Sequence, residues 1–466
     1  MQKITPRNKE QEEAIAKGIE FIEKGNPDEW LIIGGKAGTG KTTIAQAILE
    51  PYIGKKTILV CALSHKAKLV ITEKIEAAFG PKKVTSRSIA GALGMSMDQE
   101  TGRFQPGYDS EPVIKKAKII VVDEASMINE DIHELIMKEK QSKAKVIFLG
   151  DIRQLPPIRE NDDVNSDKPS PVFTRTNYIV LKERIRQGEE SPILPFADFF
   201  GDNSRLTHPQ ADPVKPEART SVVNEKGALV FCKNIYEVVE EVLPLFKLAV
   251  EKKEPNLLKI VTYRNEKRNA LNRMVREQIF GGEDIDEYLP GDLLMFQDNY
   301  DVIPGLEPIS NSYEIQVLSA RKIEKEYKLW EIEFVYEGKP IVVEVIQDCD
   351  KKRHAADVSK LFEIAKKLPK GTERKEALSK AWALKNRYAP VEHAYAITSH
   401  KSQGSTYSAV VVDEMDIMSV SKTKNRAKSQ SMYTAITRAS HACIVVDGRG
   451  NGDLLAEAIN LALKKL

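Results

Sequence analysis

Trp30-Leu31-Ile32-Ile33-Gly34-Gly35-Lys36-Ala37-Gly38-Thr39-Gly40-Lys41-Thr42 decides the fold. Four apolar residues run into paired glycines, and a helical pattern begins near Thr42. The order is strand, loop, helix. Gly35, Gly40, Lys41 and Thr42 stand at the spacing of a phosphate-binding loop, in the context that such a loop requires. Glycines let backbone N–H groups converge on phosphate oxygens without side-chain clash. The helix N-terminus adds its dipole. Lys41 is expected to reach the β- and γ-phosphates of ATP, and Thr42 to ligate Mg²⁺. Ala37, Gly38, Thr39 and Thr43 complete the expected nucleotide pocket.

The rhythm repeats outward. Residues 7–24 read as a helix, with Ala14, Ile15, Ile19 and Ile22 at helical spacing. Thr57–Ala62 is apolar and precedes a helix near 65–79. Lys118–Val122 is apolar and ends in Asp123-Glu124; Lys145–Leu149 ends in Gly150-Asp151. Apolar strands alternating with helices imply an α/β fold whose parallel sheet carries its chemistry at the strands' carboxyl ends. Asp123 is then expected to hold Mg²⁺. Glu124 is expected to polarise the attacking water as general base. Gln154, in Gly150–Pro156, is placed to sense the γ-phosphate.

The stretch 84–117 breaks this rhythm with turn residues, and Arg103-Phe104-Gln105 reads as part of a small hairpin inserted in the first domain. A second α/β domain begins near 200, with apolar runs Ala228–Phe231 and Leu258–Thr262 around a helix at 235–252. Alternating strands over 290–346 predict a small antiparallel barrel or sheet. The charged stretch 352–388 predicts two helices broken at Leu368–Gly371. Apolar strands return at Ala409–Val412 and Ala442–Val446. The expected division is 1–84 with 118–200, an insertion at 85–117, then 201–289 with 390–466, split by an insertion at 290–389.

Two arginine-bearing stretches complete a cleft between domains. Leu181–Gln187 holds Arg186, and Tyr433–Ala439 holds Arg438. Charge spreading over a γ-phosphoryl group needs such cations.

Composition sets the outer limits. At 466 residues, 41% hydrophobic, the chain exceeds one ordinary core. Lys+Arg 70 against Asp+Glu 68 leaves a formal charge of +2, so any polynucleotide groove must come from local basic patches. The four cysteines are scattered, which argues against zinc or a disulfide framework. No apolar run approaches the roughly 20 residues that cross a bilayer. A soluble, cytoplasmic protein with no membrane partner is expected.

The ordered set GKAGTGKT, ALSHKAK, VVDEASM, GDIRQLPP, ERIRQ, TSHKSQGST and YTAITRA resembles superfamily-one helicases, in their RecD/Dda-like branch. That resemblance implies two RecA-like domains, a small wedge in the first, and an SH3-like barrel with a helical projection in the second. It implies that Gln11 reads adenine, that Arg186 and Arg438 are the motor arginines, and that Gln403 and Gly404 lie near the nucleotide. It implies single-stranded DNA contacts at Ser64, His65, Lys66, Thr85 and Ser88 of the first domain, and at Thr398, His400 and Lys401 of the second. Phe104 would tip the wedge. Leu63-Ser64 and Arg87 depart from the branch's usual residues, though hydrogen bonding to phosphate survives both changes. The resemblance further implies 5′ to 3′ travel by a monomer on single-stranded and forked duplex DNA, with single-strand-binding or replisome proteins as partners. The residues alone leave two rivals: a P-loop NTPase switch that regulates a partner without moving on DNA, and a scaffold with a decayed nucleotide site.

Overall fold

The computed structural model describes residues 6, 8–36, 38–63, 65–97, 104–106, 112–157, 168–174, 177–183, 191–203, 219–282, 284–300, 309, 311–419 and 425–464. The first lobe is built on a six-stranded sheet in the order Thr85–Ser88, Ile58–Ala62, Ile119–Asp123, Lys145–Gly150, Trp30–Gly35, Tyr178–Leu181. Every pairing in it is parallel. Successive side chains of a strand face opposite ways, so a sheet covered on both faces needs continuous apolar runs. Ile33, Val60, Val121 and Leu149 meet the helices Lys9–Lys24, Lys41–Leu49 and His65–Phe79 on one face. Ile32, Leu59, Val122 and Phe148 meet Ile89–Ala92 and Glu130–Glu139 on the other.

Thr85–Ser88 corrects the expected insertion boundary. It pairs with Ile58–Ala62, Leu59 opposite Thr85 and Ala62 opposite Ser88. An edge strand with the sequence TSRS carries no apolar residue, so its polarity hid it. Among the described residues of this stretch, Met95–Met97 pairs antiparallel with Phe104–Pro106, Met97 opposite Phe104.

The second lobe carries a sheet in the order Ala396–Thr398, Leu258–Thr262, Tyr407–Asp413, Ala439–Val446, Gly227–Cys232, Val222–Asn224. Only the last strand runs antiparallel. Helices Ile235–Lys252, Asn265–Phe280 and Leu455–Leu463 cover one face. The other face corrects a second boundary. Helix Ile193–Asn203, assigned from sequence largely to the first domain, packs Ile193, Phe196, Ala197 and Phe200 against Leu229, Phe231 and Tyr433 of the second lobe. Its apolar stripe would suit either sheet, and only tertiary packing chooses between them.

The insertion holds two three-stranded antiparallel sheets. Leu293–Phe296 lies between Glu314–Gln316 and Val391–His393, which carries the insertion past the expected end at 389; Lys328–Tyr336 lies between Ser319–Glu324 and Lys339–Ile346. They share one core of Tyr288, Phe296, Trp330, Phe334, Tyr336 and Val391. Between Lys339–Ile346 and Val391–His393 the chain runs out and back as helices Asp348–Lys367 and Thr372–Asn386, joined at Phe362 and Trp382, whose ring centroids are 4.9 Å apart.

Two buried charge pairs weld this insertion to the second sheet. Lys259, fully buried in Leu258–Thr262, pairs with Glu314 at 2.7 Å, and Tyr407 Oη donates to the same carboxylate at 2.9 Å. Arg276 grips Asp292 through two bonds of 2.8 Å, and Tyr395 Oη adds a third at 3.0 Å. Removing one partner of a buried pair strands the other charge, at a cost of about 3–5 kcal/mol. Lys259→Met is therefore expected to lose stability of that order in urea unfolding; an unchanged midpoint would refute the weld. No helix among the described residues is long and apolar enough to cross a membrane.

Candidate active site

The phosphate loop turns through Gly38 and Gly40, both at φ 85°, where a side chain would be strained. Gly35 lacks room for a Cβ as well, which would stand 2.6 Å from Thr39 Oγ1 and 2.9 Å from the Leu181 carbonyl. Gly40 is the N-cap of Lys41–Leu49, so no capping side chain occupies the first-turn N–H groups, and these are free to meet an anion. Lys41 Nζ donates to the carbonyls of Gly35 at 2.8 Å and Lys36 at 3.1 Å. Thr39 Oγ1 donates to the Lys36 carbonyl at 3.0 Å. Gln11 is buried against the loop, its Nε2 3.4 Å from the Thr39 carbonyl. Ala37 lies outside the described residues.

Asp123 ends its strand, and its Oδ1 accepts from the Glu124 N–H at 2.9 Å. Glu124 holds the left-handed region at φ 53°, uncommon for a residue with a side chain and typical of strained functional turns. Burial pushes both carboxyls up. For Asp123, the Glu124 N–H, Lys41 and Lys74 oppose the rise. For Glu124, the charge of Asp123 adds to burial, while Arg438 and Lys41 oppose it. Thr42, which opens the helix after the loop, and the half-buried Asp123 are the oxygen-bearing groups that would suit a hard divalent cation, and such a cation would offset the charge of the carboxylates.

The influence of Arg438 on Glu124 crosses between lobes. Arg438 is buried, and its guanidinium donates to the carbonyls of Thr434 and Ser405, both at 3.0 Å, and to Thr437 Oγ1 at 3.1 Å. Arg186 lies outside the described residues. The chain just before it is anchored beside the first helix, where the Glu10 carboxylate accepts from the N–H groups of Lys182 and Glu183 at 2.9–3.1 Å.

Further contacts bridge the lobes around Gln154. Gln403 Nε2 lies 3.1 Å from Ser126 Oγ and 3.4 Å from Gln154 Oε1. Gln430 Nε2 donates to the Gln154 carbonyl at 2.9 Å. Tyr433 Oη donates to Asp151 at 2.5 Å. Gly404, next to Gln403, turns the loop at φ 75°. Ser126, Asp151, Gln430 and Tyr433 were not singled out from sequence. Ser126, Asp151 and Tyr433 stand inside quoted motifs, and that was the available signal.

Of the candidate strand contacts, Thr85, Ser88 and Thr398 lie on the edge strands of the two sheets. Thr85 and Ser88 lie on the edge strand, where Ser88 Oγ caps a short helix by accepting from the Gly91 N–H at 3.1 Å. His65 opens helix His65–Phe79 immediately after the neighbouring strand, with Lys66 next to it. Ser64, and the side chains of His65, Lys66 and Phe104, lie outside what the structure describes. In the second lobe Thr398 ends its strand, and the His400 ring stands edge-on to Tyr263 at 6.1 Å. Burial lowers the pKa of His400. Lys401 Nζ donates to the Gln297 carbonyl at 3.1 Å and to the Asn311 side chain, both in the insertion. Its ammonium thus joins this loop to the barrel-like unit.

Two family profiles match the chain: one described as an AAA domain, over residues 7–193, and one described as a UvrD-like helicase C-terminal domain, over residues 393–446. An uncharacterized protein of Acanthamoeba polyphaga mimivirus is 23% identical over 507 residues, covering 93% of this chain and 98% of its own. The ATP-dependent DNA helicase dda of Enterobacteria phage T4 is 22% identical, covering 80% and 85%. Among solved structures, Pif1 helicase from Bacteroides, in complex with ADP-AlF3 and ssDNA, superposes with a TM-score of 0.52 at 15% identity, covering 99% of this chain and 98% of that one. The likeness in fold therefore runs the length of the chain.

Proposed function

We infer that this chain is a superfamily-one helicase of the Dda- and Pif1-like kind, which hydrolyses ATP between two RecA-like lobes to separate the strands of DNA. The observation that carries the reading is the set of hydrogen bonds that joins the lobes beside the loop: Gln403 and Gln430 reach Ser126 and Gln154, and Tyr433 Oη donates to Asp151 at 2.5 Å. A triphosphate held by Lys41 would lie against both bodies.

The geometry supports the following course. ATP draws Lys41 off the Gly35 and Lys36 carbonyls and onto its phosphates. Thr42 and Asp123 hold Mg²⁺, which neutralises phosphate charge when bound. Glu124 takes the proton of the attacking water. Arg438 turns from its carbonyl partners to the γ-phosphoryl group, joined by Arg186. Gln154 and Gln403 sit across the same gap, so loss of the γ-phosphate alters a contact that both lobes share. The outer strand ends then change their hold on single-stranded DNA: Ser64, His65, Lys66, Thr85 and Ser88 on one lobe, Thr398 and His400 on the other. Hydroxyl and basic groups of this kind grip phosphates without reading sequence.

The finer anatomy follows by likeness to the RecD/Dda-like branch. The hairpin around Phe104 is the wedge, the two three-stranded sheets are the SH3-like barrel, and the helical pair projects from it. Travel runs 5′ to 3′, by a monomer. A forked duplex is the substrate, with single-strand-binding or replisome proteins alongside. Unwinding of duplexes bearing a 5′ or a 3′ tail tests the reading. ATP-dependent opening of the 5′-tailed substrate is expected. Hydrolysis indifferent to DNA would favour the NTPase switch, and opening of the 3′-tailed substrate alone would reverse the polarity.

A further inference from the structure

The helix Ile193–Asn203 belongs to the second lobe by its core, yet its polar side reaches the first. Phe196, Ala197 and Phe200 are buried with Phe231 and Tyr433. Asp198 and Asp202 stand four residues apart, which places them on one face of the helix. Asp198 Oδ2 lies 2.6 Å from the Nζ of Lys36, inside the phosphate loop. Asp202 lies 3.7 Å from the Nε of Arg153, the residue before Gln154. Arg153 is buried, and among the described residues its Nε and Nη1 have no hydrogen-bond partner. The fit is close: a Cβ on Gly201 would stand 2.9 Å from both Arg153 Cδ and Tyr433 Cδ2.

Lys36 matters through its backbone. Its carbonyl accepts from Lys41 Nζ at 3.1 Å and from Thr39 Oγ1 at 3.0 Å. Fixing the Lys36 side chain therefore fixes the peptide that shapes the loop around Lys41. We propose that Asp198 is a positioning residue for ATP binding, holding the phosphate loop from the opposite lobe through Lys36. The proposal rests on the loop being the ATP site, and it adds a consequence. A loop anchored to the second lobe ties nucleotide affinity to lobe position, and by reciprocity the bound nucleotide biases that position. The pair is partly exposed, so its effect is moderate.

The test is a double-mutant cycle on binding of a fluorescent ATP analogue with Mg²⁺, using Lys36→Met, Asp198→Asn and the double variant. Each single change is expected to weaken binding about 3–10-fold, and the double no more than either single. Lys36→Arg, which keeps a cation for Asp198 to meet, is expected to retain most of the affinity. Thermal unfolding of each variant checks that the fold is kept. Wild-type affinity in both single variants, or losses that multiply in the double, would overturn the proposal. Wild-type protein that binds the analogue but hydrolyses ATP no faster with DNA would instead sink the motor reading, and the binding cycle would still decide the role of Asp198.

Discussion

Glu124→Gln is expected to lower DNA-stimulated ATP hydrolysis by about 10²–10⁴-fold while ATP still binds within a few-fold of wild type. Glutamine keeps the size of the side chain, so the φ of 53° and the bond from the Glu124 N–H to Asp123 have no reason to change. What is lost is the carboxylate that accepts the proton from water. The same change removes a half-buried charge that stands against Asp123, so the variant should unfold at the same temperature as wild type or above it. Loss of turnover with stability kept separates a chemical role from a structural one. Turnover near wild type would mean that another group activates the water.

Arg438→Ala should cost about 10³–10⁵-fold in kcat, the range for an arginine that meets a transferring phosphoryl group. Its guanidinium donates at once to Ser405, Thr434 and Thr437, and although Thr437 Oγ1 still donates to the Thr434 carbonyl, alanine takes away the side-chain donor of the Ser405 carbonyl, at about 1–3 kcal/mol. Arg438→Lys is the control for that loss. Lysine keeps the charge but not the planar fork, and it should remain well below wild type in kcat. Rapid turnover with a raised KM in either variant would reduce Arg438 to a binding contact.

The strand, loop and helix around Lys41 and the strand that ends in Asp123 were legible because local sequence determines them. Glycines at the required spacing, one lysine, and an acid pair after an apolar strand each act through their own backbone neighbourhood. Contacts between lobes were not legible in the same way. Gln403 meets Ser126 across 277 residues of chain, and Tyr433 meets Asp151 across 282. Nothing in either motif announces its partner. Polarity misled at one edge: TSRS is an edge strand without apolar residues. Lys259 shows the reverse case, a charge inside a run read as a core strand, tolerated because Glu314 meets it from 55 residues away. The placement of helix Ile193–Asn203 depended on which sheet its stripe would meet, a choice only the assembled core makes.

One junction has a mechanical consequence. Only Ala394 and Tyr395 separate Val391–His393, in the barrel-like unit, from Ala396–Thr398, the outer strand of the second sheet. Two residues reach at most about 7 Å, which leaves no slack. Backbone hydrogen bonds brace the joint on both sides, from the Ala394 N–H to the Leu293 carbonyl at 2.9 Å and from the Ile260 N–H to the Tyr395 carbonyl at 3.0 Å. If the chain is the motor proposed above, load on the helical pair would arrive as tension at Thr398, upstream of the loop that touches Gln154. Resistance at a fork would then slow ATP hydrolysis itself.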